Sequence, residues 1–314
     1  MTNRLKPPRL QSGMTIGVVA PSTPVFERSD VYRSIEVVES LGFKVVLGPH
    51  ALDRRGYHAG YDRDRADDLL NMFLRDDIDA VLALQGGTGA TRTAHVIDRD
   101  RLARMKAAPP KAFIGYSNIY VLHALFAKEL NWVTFAGPGL STFRKATDYT
   151  IASFRDALMN IEPFDILPNP DDPFVETLVP GVVEAEIVGA TMPTINYMIG
   201  TPWEPDLEGK IVFLETNKRE PLEVDLFLSH LIAAGKLQNC AGIIIGELFE
   251  SAPRRPATLS LADIFDDLIV PLGIPAIYNL PIGHGRHHGT VPLGVTARLD
   301  ATNKSLRILE SGVL

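Results

Sequence analysis

The sequence predicts a two-domain α/β protein: an N-terminal half built on a parallel sheet, followed by a smaller α+β half. Three observations predict it. Residues 15–130 alternate short apolar, β-branched runs with segments of helical periodicity, the pattern of βαβ units. The Pro/Asp-rich stretch Leu167-Pro168-Asn169-Pro170-Asp171-Asp172-Pro173 then interrupts the chain as a linker would. Beyond it the strand signals become shorter and one helix stands out, which suits a mixed sheet. The expected division is 1–166, a linker at 167–174, and 175–314.

Each element has a local reason. Thr15 to Ala20 is a β-branched apolar run closed by Pro21-Ser22, a buried strand leaving into a turn. Arg28 to Leu41 places Val31, Ile35, Val38 and Leu41 at helical spacing, with Gly42 as a C-terminal stop. Phe43 to Leu47 reads as the second strand. Arg63 to Arg75 reads as a helix with Ala66, Leu69, Leu70 and Phe73 on one side. Strands follow at Ala80 to Leu84 and, after Pro109-Pro110, at Ala112 to Tyr116; helical segments follow at Thr91 to Ile97 and Val121 to Leu130. In the second half, strands are expected at Val182 to Val188, Lys210 to Leu214, Gly242 to Ile245 and Val295 to Leu299. The helix there is Glu223 to Ala234, ended by Gly235.

Composition bounds the function. Of 314 residues, 46% are hydrophobic and 22% charged, the balance of a folded chain with a substantial core. The single cysteine, Cys240, excludes an internal disulfide framework and a cysteine-based zinc cluster. A net charge of -7 argues against a phosphate-driven nucleic-acid binder. The N-terminus carries no apolar stretch behind its basic residues, and no run approaches the roughly 20 apolar residues that span a bilayer. The expectation is a cytoplasmic protein with no membrane partner.

Three strand ends carry chemistry. Gln85-Gly86-Gly87-Thr88-Gly89 is a glycine-rich strand-to-helix turn whose backbone N–H groups could hold a phosphate, a carboxylate or an oxyanion, or serve only as a tight turn. It lacks both the dinucleotide G-x-G-x-x-G pattern and the P-loop Lys-Ser/Thr. Gly115-Tyr116-Ser117-Asn118 puts a serine at a sharp strand-to-helix turn, where it either caps the helix or exposes a nucleophilic hydroxyl. The hydrolase signature G-x-S-x-G is not met, because residue 119 is Ile. Glu215 closes the apolar run Phe213-Leu214, and His284 sits in the Pro/Gly-framed loop Pro281-Ile282-Gly283-His284-Gly285. An imidazole oriented by a buried carboxylate is a general base suited to neutral pH, but either residue alone equally suits surface or packing roles.

In that order the motifs resemble the LD-carboxypeptidase family of serine peptidases. The resemblance starts from Gly115-Tyr116-Ser117-Asn118-Ile119 and extends through Gly56-Tyr57-His58-Ala59-Gly60, Asp64-Arg65-Ala66 and Gly86-Gly87-Thr88-Gly89-Ala90. It continues in residues 200–210, from Gly200-Thr201-Pro202-Trp203 to Gly209-Lys210, then in Phe213-Leu214-Glu215, residues 281–285 and Pro292-Leu293-Gly294. It implies a Rossmann-like N-terminal domain and a smaller C-terminal one, with the active site between them. Ser117 is implied as nucleophile, Glu215 as orienting acid and His284 as base, with the Gly87 and Asn118 N–H groups as oxyanion donors. No cofactor and no metal is implied. The implied substrate is a murein tetrapeptide losing its terminal D-alanine, or, in the microcin-immunity branch, a peptidyl- or aminoacyl-nucleotide amide; a homodimer is implied as well. A non-catalytic relative that binds such molecules is the reading from another class.

The sequence departs from the family pattern at four places. Gln85 stands where Arg is usual before Gly-Gly, and Asn118 where Asp follows the serine. Gly189-Ala190-Thr191 replaces Gly-Gly-Asn, and Thr216 replaces an acidic residue. A substrate carboxylate therefore needs another partner. Gln85, Gly86 and Arg92 are the expected substrate contacts.

Overall fold

The computed structural model describes residues 4–314. In the N-terminal half the elements are β1 (Thr15–Val19), α1 (Arg28–Ser40), β2 (Lys44–Leu47), α2 (Asp62–Leu74), β3 (Ala80–Ala83), α3 (Ala90–His95), α4 (Arg99–Ala107) and β4 (Ala112–Gly115). A 3-10 turn, Ser117–Ile119, leads into α5 (Tyr120–Glu129), β5 (Thr134–Ala136), α6 (Leu140–Phe143) and α7 (Asp148–Met159). Then come β6 (Phe164–Ile166), β7 (Glu176–Val179), β8 (Val182–Thr191), α8 (Met192–Met198), β9 (Ile211–Asn217), α9 (Pro221–Ala233), β10 (Gly242–Phe249) and α10 (Leu261–Leu268). The last strands are β11 (Ala276–Leu280), β12 (Val291–Leu293), β13 (Thr296–Asp300) and β14 (Ser305–Ile308).

Two sheets result. The first has the order β12-β5-β4-β3-β1-β2, parallel throughout except for β12, which runs antiparallel to β5. Strands β3 and β4 are buried along their whole length, as continuous apolar runs of a parallel sheet covered on both faces should be. The second sheet, β6-β14-β13-β8-β9-β10-β11-β7, is mixed: β8 to β11 are parallel, and both flanks are antiparallel. This is the expected α/β architecture, and the mixed second sheet follows the expectation too.

The two halves are tied by exchanged strands. Strand β12 comes from the C-terminal half yet completes the first sheet, while β6, before the Pro/Asp-rich stretch, edges the second. Phe73, Phe113, Phe126 and Trp132 form an aromatic cluster under the first sheet, with ring centroids 5.1–6.2 Å apart. Helix α9 starts at Pro221, two residues before the expected Glu223. A capping box between Glu220 and Glu223 supplies that start.

Candidate active site

The C-terminal end of β4 delivers Ser117. This serine has φ +67°, the left-handed region that side chains seldom occupy, so the chain turns sharply and lifts the hydroxyl out of the sheet. Its neighbour across the turn has to be glycine: a methyl on Gly86 would lie 2.6 Å from the Ser117 Cβ and 2.9 Å from its Oγ. Gly87, at φ +106°, leaves the space that the Thr23 hydroxyl fills. That hydroxyl accepts from the Thr88 N–H at 2.8 Å. The Ala90 N–H donates to Asn118 Oδ1 at 2.9 Å, and the Ser22 hydroxyl donates to the same oxygen at 2.8 Å. Among the described residues no hydrogen bond claims the Gly87 N–H. Asn118 lies in the first turn of the 3-10 segment, where N–H groups lack an intrahelical acceptor.

Glu215 comes from the second sheet, and His284 from the loop that follows β11. Strand β9 runs on to Asn217, so Glu215 lies within it rather than just past its end. Its carboxylate is fully buried, and Oε2 lies 2.7 Å from His284 Nδ1. Two glycines make this approach possible. A methyl on Gly283, at φ +143°, would lie 2.8 Å from Glu215 Oε2, and one on Gly246 would overlap the Ile282 carbonyl. A carboxylate accepting from Nδ1–H fixes the imidazole tautomer whose lone pair lies on Nε2. Tyr116, next to the serine, packs its ring 4.9 Å from the His284 ring. Among the described residues no hydrogen bond joins Ser117 Oγ to His284.

The histidine loop is held by the other half of the chain. Helix α7 offers hydroxyls in series: Thr150 accepts from the His288 N–H at 3.0 Å and Ser153 from the Thr290 N–H at 2.8 Å. Thr147, the N-cap of α7, meets His287 Nδ1 at 2.9 Å, while Asp171 meets its Nε2 at 3.0 Å. Burial pushes the His288 imidazole down to about 4, keeping it neutral beside His284.

A cavity of about 330 Å³ opens over the serine, lined by the 87–89 turn, Ser117, Asn118, Thr191, Tyr197, Thr216 and Arg219 among others. The structure thus brings Ser117, Asn118 and Gly87 to one cavity and bonds Glu215 to His284. Arg92 also lines the cavity, but its guanidinium is paired with Asp62 at 2.6 Å. Gln85 turns elsewhere, donating to the Pro24 carbonyl at 2.8 Å. The Thr191 and Thr216 departures both face the cavity, and Thr191 pairs in register with Glu215. Elsewhere His50, Asp53 and Asp64 bring one potential metal ligand each within 4.8 Å of the others.

Residues 16–137 match the family model described as LD-carboxypeptidase N-terminal domain, and residues 184–299 match the LD-carboxypeptidase C-terminal domain. A Bacillus subtilis (strain 168) relative named "Probable murein peptide carboxypeptidase" is 35% identical over 98% of this chain and 95% of its own. The chain belongs to the LD-carboxypeptidase family. It is accordingly a peptidase by class. The Escherichia coli microcin C7 self-immunity protein MccF is 26% identical, over 96% of this chain and 94% of its own. The crystal structure of a muramoyltetrapeptide carboxypeptidase from Oxalobacter formigenes superposes with a TM-score of 0.82 at 26% identity, covering 95% of this chain and 99% of that one.

Two residues beside these side chains in this LD-carboxypeptidase-family chain carry no signal in the motifs above. Arg219 lines the cavity, paired with Glu223 at 2.7 Å. Glu247, on β10, lies directly over Gly285, where any methyl would overlap its Oε2, and burial pushes its carboxyl up. A signal for Glu247 existed. Gly246-Glu247 follows an apolar run as Leu214-Glu215 does, on the adjacent parallel strand.

Proposed function

We propose that this chain is a serine carboxypeptidase acting on a murein-derived tetrapeptide. In this reading the Ser117 Oγ attacks the carbonyl of the terminal amide while His284 Nε2 takes its proton. Glu215 holds the imidazole tautomer and balances the imidazolium that forms. The Gly87 and Asn118 N–H groups receive the oxyanion; losing one such donor costs about 2.7–4 kcal/mol of barrier. His284 then protonates the departing D-alanine amine, and water, activated by the same imidazole, releases the acyl group.

The single observation that carries the reading is the 2.7 Å bond between a fully buried carboxylate and the His284 Nδ1. It is supported by the strained serine backbone and by the unclaimed Gly87 N–H beside it. The proposal also includes a division into residues 1–166 and 175–314 joined at 167–174, in line with two family models that match on either side. A cytoplasmic homodimer belongs to the proposal on family resemblance alone. Among the described residues no helix is long and apolar enough to cross a membrane.

A second reading, hydrolysis of an aminoacyl-nucleotide amide, is favoured by the likeness to the microcin C7 self-immunity protein. Assaying the purified protein on murein tetrapeptide and on an aminoacyl sulfamoyl adenosine separates the two. The first reading expects D-alanine release and little action on the nucleotide amide. Ser117→Ala should abolish turnover with thermal unfolding unchanged; residual hydrolysis above a trace would remove Ser117 from the mechanism.

A further inference from the structure

Both cations that line the catalytic cavity are already spoken for, Arg92 by Asp62 and Arg219 by Glu223. Two others, on the loop whose His58 bonds to Thr88 of that cavity, are not. Arg54 and Arg55 are exposed, and among the described residues neither has a carboxylate within 4.0 Å or a side-chain hydrogen bond. Each guanidinium instead lies over an exposed aromatic ring. Arg54 Cζ is 4.5 Å from the Phe26 ring centroid, and Arg55 Cζ is 4.7 Å from that of Tyr61. A stacked guanidinium keeps its in-plane N–H donors free and its orientation fixed.

The loop bearing them is built against the rim of the cavity. Arg55 and His58 exchange two backbone hydrogen bonds, 2.8 and 3.1 Å, across Gly56 at φ +61°. His58 Nδ1 then meets the carbonyl of Thr88, a cavity residue, at 3.2 Å. The Ala59 N–H donates to the Ser22 carbonyl at 3.0 Å, and Asp62 grips Arg92. On the other side, the segment carrying Phe26 is tied to the glycine turn through Thr23 and Pro24. The Arg54–Phe26 stack bridges these two segments. A chain of net charge -7 therefore keeps two stacked cations, without an ion pair, on a loop bonded to the glycine turn that lines its cavity.

We propose that Arg54 and Arg55 form an anion-docking site for a carboxylate or phosphate borne by the substrate away from the scissile amide. The proposal rests on the reading of the Ser117 cavity as the catalytic site and deepens it, by stating which substrates that cavity admits. The two sources of the anion are an acidic peptide and a nucleotide, and the test has an arm for each.

The test measures binding as well as turnover for Arg54→Gln, Arg55→Gln and the double variant. Calorimetric Kd is read in the Ser117→Ala background, and KM and kcat in the otherwise native chain. The probes are murein tetrapeptide, its analogue with the side-chain and internal carboxylates amidated, and an aminoacyl adenosine amide with and without its phosphate. Each single variant should weaken binding of the anionic member of a pair by about threefold to fivefold, as exposed charge pairs do. The member lacking the anion in question should be unaffected, kcat should hold, and the loss should shrink as salt is raised. The pair that shows this identifies the source of the anion. Equal losses on both members, or no loss on either, would overturn the proposal, and so would a fall in thermal stability with unchanged binding. Wild-type protein that discriminates the pair but turns over neither would leave this site standing and remove the catalytic reading.

Discussion

Ser117 pays for its place in the backbone. A non-glycine residue in the left-handed region costs about 1–2 kcal/mol, and the structure holds it there by closing Gly86 against the side chain. Strain of this kind is kept where a functional group has to be aimed. A similar close fit surrounds Glu215: Gly246 and Gly283 remove the side chains that would otherwise push the carboxylate away from the imidazole. Glu215→Gln should keep this packing while offering the wrong hydrogen-bonding partner to His284. The expected result is a drop in kcat of about 10³- to 10⁴-fold with KM little changed, as replacing the acid of a serine–histidine–acid triad produces. Steady-state kinetics on murein tetrapeptide check this; a variant within tenfold of wild type would mean that Glu215 does not orient the base.

At the scale of elements, the sequence was legible where local signals were complete. Strands β1, β3 and β4 are continuous apolar runs, and helices α1 and α2 carry a full apolar stripe, so each was recognisable alone. The turn at Ser117 and the glycine turn at Gly86-Gly87 were legible because they sit at the ends of such strands. Strands β6, β7 and β12 are only three or four residues long, and their partners lie far away in sequence. Nothing local announces that Val291–Leu293 will cross to pair with Thr134–Ala136. The extension of β9 through Glu215 has a similar origin: beyond a register shift, Leu248 and Phe249 of β10 pair with Thr216 and Asn217. The hydroxyls of α7 that clamp the histidine loop were invisible because Thr150 and Ser153 read as ordinary helix residues until the loop meets them. The Arg54 and Arg55 stacks were missed likewise, since Phe26 lies in a separate loop.

For the whole molecule, two buried histidines set how it tolerates acid. Burial holds both His123 and His288 down to about 4, against 6.5 for the exposed group. A histidine with a depressed folded pKa favours the native state when neutral. Its contribution is therefore complete above about pH 6.5 and is lost as pH falls toward 4, by up to roughly 3 kcal/mol for each residue. Urea unfolding followed from pH 7 to pH 5 should show stability falling within a window that lies above most carboxylate titrations. His288→Phe should flatten that slope, and a stability that is level over this range would contradict the assignment of these two rings as buried and neutral.

The central claim is that Ser117, served by His284 and Glu215 from the other half of the chain, is the nucleophile. Its most direct test is labelling with a serine-directed phosphonate, followed by peptide mass spectrometry. A single adduct is expected on the peptide containing Ser117, formed at a rate that collapses in His284→Ala. An adduct on another serine, or labelling of Ser117 that is indifferent to His284, would contradict it.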